Sequence, residues 1–253
     1  MSAKGRPERE YRSAQHEGSP VSPIGRPRGE HRSAQHGGSA APIDAAIDDG
    51  VRALGLALPP GAAAQLSALI TLLAKWNGTY NLTAIREPAK MVTHHLIDSL
   101  AVLTRLAVAQ GARLVDIGCG AGLPGLPLAI ARPDVAVTLL DSNGKKIAFV
   151  RQAIGELGLG NATAVAARAE TFVPAAPFDV VVSRAFSDLA TFVAAGRRLL
   201  APGAVLVAMK GVLPAAEIAA LPPGIRVVAA PALAVPGVEG QRHLVIMNQE
   251  SGP

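Results

Sequence analysis

Arg113-Leu-Val-Asp-Ile-Gly-Cys-Gly-Ala-Gly-Leu-Pro-Gly125 is the stretch that decides the fold. Its first five residues form a short apolar run of the kind that makes a buried strand, and the glycines that follow form a tight turn. A helical pattern opens directly after them. Glycine lets a backbone approach a ligand with no Cβ in the way. A helix entered from such a turn presents N–H groups and a positive dipole end. The start of that helix is therefore expected to help hold a carboxylate.

Outward from this stretch the chain alternates strand and helix. Strands are expected at 112–117, 135–140, 161–166, 178–183, 203–209, 225–232 and 242–247, with helices near 123–131, 144–157, 188–199 and 213–220. Such alternation implies a mostly parallel sheet with helices on both faces. No helical pattern separates the last two strands, so they are expected to form an antiparallel hairpin at one edge. Ahead of the sheet, Ile43–Leu56 and Ala62–Trp76 carry apolar residues at spacings of three and four, and a third helical stretch runs from Pro88 to Ala109 with a break near His94. The reading is a Rossmann-like α/β fold with a seven-stranded, mostly parallel sheet. It divides into a disordered tail (1–41), an N-terminal helical cap (42–110) and a ligand-binding α/β domain (111–250).

Composition agrees with a buried layered core. Hydrophobic residues make up 49% of the 253 residues and aromatic ones only 3%, so Ala, Leu and Val must build the interior. The formal net charge is +5, and residues 1–40 contribute +3 of it through seven basic and four acidic side chains. The basic balance is thus partly a property of the tail and does not by itself make the folded part a nucleic-acid binder. Within the tail, Gly5–His16 recurs as Gly25–His36 with a period of 20. Two copies are too few for a solenoid, and the segment has no apolar face to bury. One cysteine, Cys119, excludes an intramolecular disulfide and favours a reducing cytoplasm. No apolar run is long enough to span a membrane, and the N-terminus lacks the apolar core of a secretory signal.

The glycine spacing alone leaves the ligand open, because Gly120-x-Gly122-x-x-Gly125 also fits a dinucleotide fingerprint. Two residues favour a methyl donor, S-adenosyl-L-methionine. Asp116 stands two positions before the first glycine, Gly118, where a dinucleotide strand usually stays apolar; an acid there can orient the turn and balance a cationic donor. Pro124 removes an N–H where a pyrophosphate would meet the helix. Asp141, ending the second strand, suits ribose hydroxyls, although it also reads as a helix N-cap. Cys119 reads as a small residue tolerated in the turn.

Substrate grip is expected from Arg168, Arg184, Lys210 and Arg242, all at or just beyond strand ends, where ligands of open α/β sheets bind. Lys145 and Lys146 read as a solvated helix start. Trp76, Asn77, Tyr80 and Asn81 offer stacking and hydrogen bonding to a base, or anchor the cap to the sheet domain. His94, His95 and Asp98 share one helical stretch; two groups at metal spacing are too few for a metal site, so a hydrogen-bonded role in the cap is expected, with no metal. The residues leave several functions open: an RNA methyltransferase, a methyltransferase for a small molecule or protein, a nicotinamide-dependent oxidoreductase, and a non-catalytic RNA-binding module.

The chain resembles the bacterial glucose-inhibited division protein B family, the small-subunit ribosomal RNA methyltransferases G. The resemblance rests on Lys75-Trp-Asn-x-x-Tyr80-Asn-Leu-Thr-Ala-Ile-Arg86, His95-Leu-Ile-Asp98-Ser99, Asp116 to Pro127 and Leu139 to Lys146. It continues through Arg151-Gln, Phe178-Asp, Ser183-Arg-Ala-Phe186, Lys210-Gly211 and Glu239 to Leu244, and spans about residues 44–248. Cys119 departs from the Ser or Thr usual there. The resemblance implies methylation of guanine N7 in the 530 loop of 16S ribosomal RNA. It implies that Gly118 and Leu123 line the donor site, that Ala169 and Glu170 hold the adenine, and that Arg184 also lies at the donor site. The partner implied is 16S rRNA or the small ribosomal subunit. A monomer is expected, since no long coiled-coil pattern is present.

Overall fold

The structure is a computed structural model and describes residues 40–250. The repeat-containing tail lies outside the described residues. Seven strands form one sheet in the order β3-β2-β1-β4-β5-β7-β6. They are β1 (Arg113–Ile117), β2 (Ala136–Asp141), β3 (Ala162–Ala166), β4 (Phe178–Arg184), β5 (Leu200–Lys210), β6 (Ile225–Ala229) and β7 (His243–Gln249). The first five run parallel, while β7 is antiparallel to both β5 and β6. The expected antiparallel pairing of the last two strands is present, and β7 lies inside β6, which takes the edge.

Strand residues alternate between two apolar clusters, because successive side chains point to opposite faces. Leu114, Leu139, Val180, Val182 and Val207 face a layer that includes α2 (Ala62–Tyr80), α5 (Gly125–Ala131) and α6 (Gly144–Leu157). Val115, Ile117, Leu140, Val181 and Leu206 face α7 (Leu189–Gly196). Covering both faces explains why these strands read as continuous apolar runs.

The cap shares the first of these clusters. From α1 (Ala40–Ala53) it contributes Ile47; from α2, Leu66, Leu69, Ile70 and Leu73 are fully buried. Trp76 packs edge-on against Phe149 of α6 at 5.6 Å and beside Tyr80 at 5.1 Å, which makes it an anchor between cap and sheet layers. Among the described residues, no helix is long and apolar enough to cross a membrane.

The third helical stretch departs from expectation. It starts as α3 (Pro88–Met91), becomes a π-helical turn over Val92–Ile97, returns as α4 (Asp98–Leu100) and ends as a 3₁₀ turn over Ala101–Thr104. The expected break near His94 is the π turn, a feature often found at functional sites. Leu106 and Val108, read as helical, instead lie in irregular chain packed against the apolar cluster on the way to β1. At the other end, β5 begins at Leu200 rather than near 203, because an irregularity between Phe178 and Val180 lets Pro202 and Gly203 pass. The last helix is only α8 (Ala215–Ala219), and β6 stops at Ala229, with an irregularity between Val227 and Ala229.

Candidate functional site

Strand order reverses between β1 and β4: β2 and β3 lie to one side of β1, β4 and β5 to the other. A crevice forms beyond the carboxyl ends of strands at such a reversal. Register brings Asp141 opposite Ala166, Arg184 opposite Met209, and Lys210 opposite His243 along that end of the sheet. Because β7 runs antiparallel, its start, preceded by Arg242, lies on this same edge.

The turn after β1 is built by its carboxylates. Asp116 is fully buried, and its Oδ2 accepts the Gly125 N–H at 2.8 Å. Its Oδ1 has no hydrogen-bond partner. Burial, the largest influence, pushes its pKa up to about 7. Asp141 Oδ2 accepts the Gly120 N–H at 2.9 Å and its Oδ1 the Asn143 N–H at 2.7 Å, so one carboxylate ties the glycine turn to the β2 end. The cap of α6 is Asn143, whose side chain accepts from Lys145 and Lys146; Asp141 is therefore not that helix's N-cap. Gly118, Gly120 and Gly122 have φ of 69°, 58° and 76°, in the left-handed region that other residues avoid. A Cβ at Gly120 would meet nothing nearer than the Gly118 carbonyl at 3.9 Å, so the turn is bare on its open side.

This geometry overturns one expectation. The start of α5 does not offer itself to a carboxylate. The Gly125 N–H is held by Asp116, those of Leu126 and Leu128 by Gly122 O and Pro124 O, and Pro127 has none. An anion has no free donor there, and a pyrophosphate fares no better. The acid that orients the turn has also sealed the helix end.

Ser183-Arg184-Ala185-Phe186 joins this turn to a second cavity. The buried Ser183 hydroxyl donates to Ile117 O at 2.7 Å and locks β4 to the end of β1. Phe186 lies beside Gly118, 3.6 Å from where a Cβ would stand, and packs on Phe192 at 5.6 Å. Between them, Ala185 has φ 64°, a left-handed conformation that costs a non-glycine residue roughly 1–2 kcal/mol. Strain of this kind concentrates at functional sites.

The cavity, about 360 Å³, is lined by His94, His95, Asp98, Arg184, Lys210, Arg242 and His243 together with Ala185, Met209, Gly211 and Leu233. Its size falls in the usual range for small-molecule sites, about 300–1,000 Å³. Arg184 Nη1 donates to His94 O at 3.1 Å and pairs with Asp98 Oδ2 at 3.3 Å; Arg242 Nε pairs with Asp98 Oδ1 at 3.1 Å. Lys210 pairs with Glu217 at 2.9 Å, and Glu217 also accepts the Leu189 N–H. His95 is buried. Its Nδ1 lies 3.0 Å from His94 O, and a carbonyl only accepts, so Nδ1 carries the proton and Nε2 accepts from Thr83 Oγ1 at 2.8 Å. Burial, helped by Arg184, lowers its pKa to about 4 and keeps it neutral. Asn77 completes the support: it donates to Ile85 O and accepts from Thr83 N–H.

Of the four expected substrate cations, the structure brings Arg184, Lys210 and Arg242 together. Arg168 is exposed on the loop after β3 and is not among the lining residues. Ala169 and Glu170 share that loop, and Ala169 O accepts from Arg198 at 2.7 Å. Leu123 and Cys119 are buried in the apolar cluster. Burial raises the Cys119 thiol pKa, in keeping with a packing role. Among the described residues no cluster of His, Cys, Asp and Glu is arranged to hold a metal ion. Sequence reasoning placed Asp98 only in the cap; its double pairing was missed because its partners are remote in the chain.

The family described as rRNA small subunit methyltransferase G matches residues 62–245. The ribosomal RNA small subunit methyltransferase G of Alkalilimnicola ehrlichii is 51% identical over 204 residues, covering 81% of this chain and 91% of that protein. The protein of the same name from Aromatoleum aromaticum is 50% identical over 210 residues, covering 81% and 98%. Among solved structures, TrmN from Thermus thermophilus superposes with a TM-score of 0.50 at 24% identity, over 62% of this chain and 53% of that one, a likeness of fold. With half of the aligned residues identical over nearly the full length of these relatives, the chain belongs to the rRNA small subunit methyltransferase G family.

Proposed function

We propose that this chain transfers a methyl group from S-adenosyl-L-methionine to N7 of a guanine in the 530 loop of 16S rRNA, acting as a cytoplasmic monomer. One observation carries the reading: a bare glycine turn and a cation-lined cavity lie side by side at the sheet's reversal point, joined by Ser183 to Phe186. Family membership removes the nicotinamide alternative, and the sealed start of α5 agrees with that.

The residues fit the donor. The unpartnered Asp116 Oδ1 buried beneath the turn and the open face of Gly120 favour a ligand with cationic character seated on the turn. Asp141 would receive ribose hydroxyls on lone pairs its two backbone N–H bonds leave over, and Ala169 and Glu170 would border the adenine. When bound, the donor supplies an electrophilic methyl group on a positively charged sulfur. Guanine N7 has a free lone pair at neutral pH, so no side chain need remove a proton first. The cavity agrees with that chemistry: Asp98 is committed to two arginines and His95 to Thr83 and His94, while His94 and His243 are bonded through Nδ1 and a nucleophile that carries no proton asks nothing of their Nε2. What remains for the protein is alignment, which can contribute roughly 7–11 kcal/mol. Arg184 and Arg242 would hold an oxygen of the RNA while leaving N7 exposed.

The test is methyl incorporation into small-subunit RNA followed by mapping of 7-methylguanosine. Transfer to one 530-loop guanine, lost in Arg184→Ala, is expected. Transfer to another atom or another RNA, or undiminished activity in that variant, refutes the proposal.

A further inference from the structure

One carboxylate holds both guanidiniums of the cavity. Asp98 is buried, and each of its oxygens faces a different arginine: Oδ2 to Arg184 Nη1 at 3.3 Å, Oδ1 to Arg242 Nε at 3.1 Å. The arginines arrive from separate parts of the sheet. Arg184 ends β4, and Arg242 precedes β7, 144 residues from Asp98. Two guanidiniums on one wall repel unless a negative charge lies between them.

The hydrogen-bond inventory gives the arrangement a direction. Arg184 commits Nη1 to Asp98 and His94 O; Arg242 commits Nε to Asp98 and Nη1 to Gln241 O. Nη2 of each has no protein acceptor among the described residues, and both side chains stay partly exposed to the cavity, at 21% and 29%. The chain between β6 and β7 is also pinned in place. Leu233 N–H donates to Arg242 O at 2.7 Å. Gly237, with φ 74°, lies so close to the π turn that a Cβ would stand 2.8 Å from Thr93 Cγ2. The segment that delivers Arg242 is therefore seated on the turn that leads into Asp98.

We propose that Asp98 is a positioning residue: its two oxygens set Arg184 and Arg242 so that their outward N–H groups converge on one oxygen of the RNA. This rests on the reading of the cavity as the RNA side of the site. The oxygen is guanine O6 or a phosphodiester oxygen, each an acceptor for guanidinium N–H groups. Asp98 itself touches no substrate. Stability alone does not require such a cluster, since apolar residues of similar volume often serve as well as buried ion pairs.

The experiment is a double-mutant cycle on the full chain, read without methyl transfer. The probes are anisotropy with a labelled 530-loop RNA hairpin and the Arg242 Nε–Hε resonance in a ¹⁵N spectrum. In the parent protein that resonance is expected to be protected, and D98N should abolish the protection. D98N and R242Q should each weaken RNA binding about tenfold or more, within the range that coupled neighbours show. The double variant should be no more than about twofold weaker than either single one. D98E, which keeps the charge, should recover part of the loss. Repeating the hairpin with 2-aminopurine, which lacks O6, and with one phosphate replaced by methylphosphonate separates the two oxygen sources. Losses that multiply in the double variant, or an Arg242 resonance unchanged by D98N, overturn the proposal. Should D98N fail to fold, R242K decides: lysine cannot bind Asp98 and an RNA oxygen through a planar fork, so unchanged affinity overturns it. A chain that binds RNA with this coupling yet methylates nothing refutes the proposed function and leaves the positioning role standing. If the parent binds no RNA, the RNA-side reading and this proposal fall together, whatever the resonance reports about the ion pair.

Discussion

Gly125→Ala places one methyl group against a crowded part of the glycine turn. Its Cβ would lie 2.8 Å from Leu139 Cδ2, 3.0 Å from Asp116 Oδ2 and 3.1 Å from Asp116 Cβ. None of these is the free end of an exposed side chain, because Leu139 and Asp116 are both fully buried. Overpacking of this kind costs about 1–3 kcal/mol. Against it stands the gain of about 0.5–1 kcal/mol that alanine brings to a helix in place of glycine. The net expectation is a loss of up to about 2.5 kcal/mol, or a few degrees in Tm for a domain of this size. The same methyl displaces the carboxylate that accepts the Gly125 N–H, so donor affinity should fall about tenfold. Gly155→Ala is the control. Gly155 lies in α6 with nothing within 4 Å of its Cβ, so it should gain about 0.5–1 kcal/mol with donor affinity unchanged. Urea unfolding and calorimetry with S-adenosyl-L-methionine measure both. The reasoning fails if the two variants shift stability in the same direction, or if Gly125→Ala binds the donor as the parent does.

Asp116 gives a pH signature. Its folded pKa, about 7, lies above the ordinary 3.8, so the folded state holds its proton longer than the unfolded one. Its contribution is complete below about pH 4 and disappears as pH rises toward 7, up to about 4 kcal/mol in total. Asp116→Asn should flatten that part of the stability profile of the donor-free protein; identical profiles in parent and variant would contradict the burial argument. Lys210→Met should leave the salt dependence of RNA binding unchanged, because Glu217 already neutralises Lys210; a slope lower by about one would mark a phosphate contact instead. Trp76→Phe should weaken the packing of α2 on Phe149 by about 1 kcal/mol, read by chemical denaturation. As Trp76 is the one tryptophan of the chain, its fluorescence in the parent should change together with circular dichroism if cap and sheet unfold as one unit.

The parallel sheet was legible because its strands are continuous apolar runs separated by turn residues, and the turn after β1 because glycines cluster where only they fit. Arg184 and Lys210 could be placed at strand ends by counting. Two things were not legible and a third only in part. The exhaustion of N–H groups at the start of α5 depends on Asp116 folding back nine residues, which spacing does not reveal. The partnership of Asp98 with Arg242 joins residues 144 apart and required the strand order. The π character of the turn near His94 was legible only as a break, since a single extra residue in a helix resembles ordinary scatter in the apolar pattern.

The placement of β7 between β5 and β6 has a consequence for how the protein is made. During synthesis β5 and β6 emerge first, and neither has a partner for its facing edge until residues 243–249 follow. The sheet can therefore be completed only once β7 has been made, and the strand that completes it brings Arg242 to its counter-charge. On the proposed reading, a nascent chain that has already shaped its glycine turn would still lack one of the two guanidiniums that Asp98 sets, until the strand after Arg242 has been made.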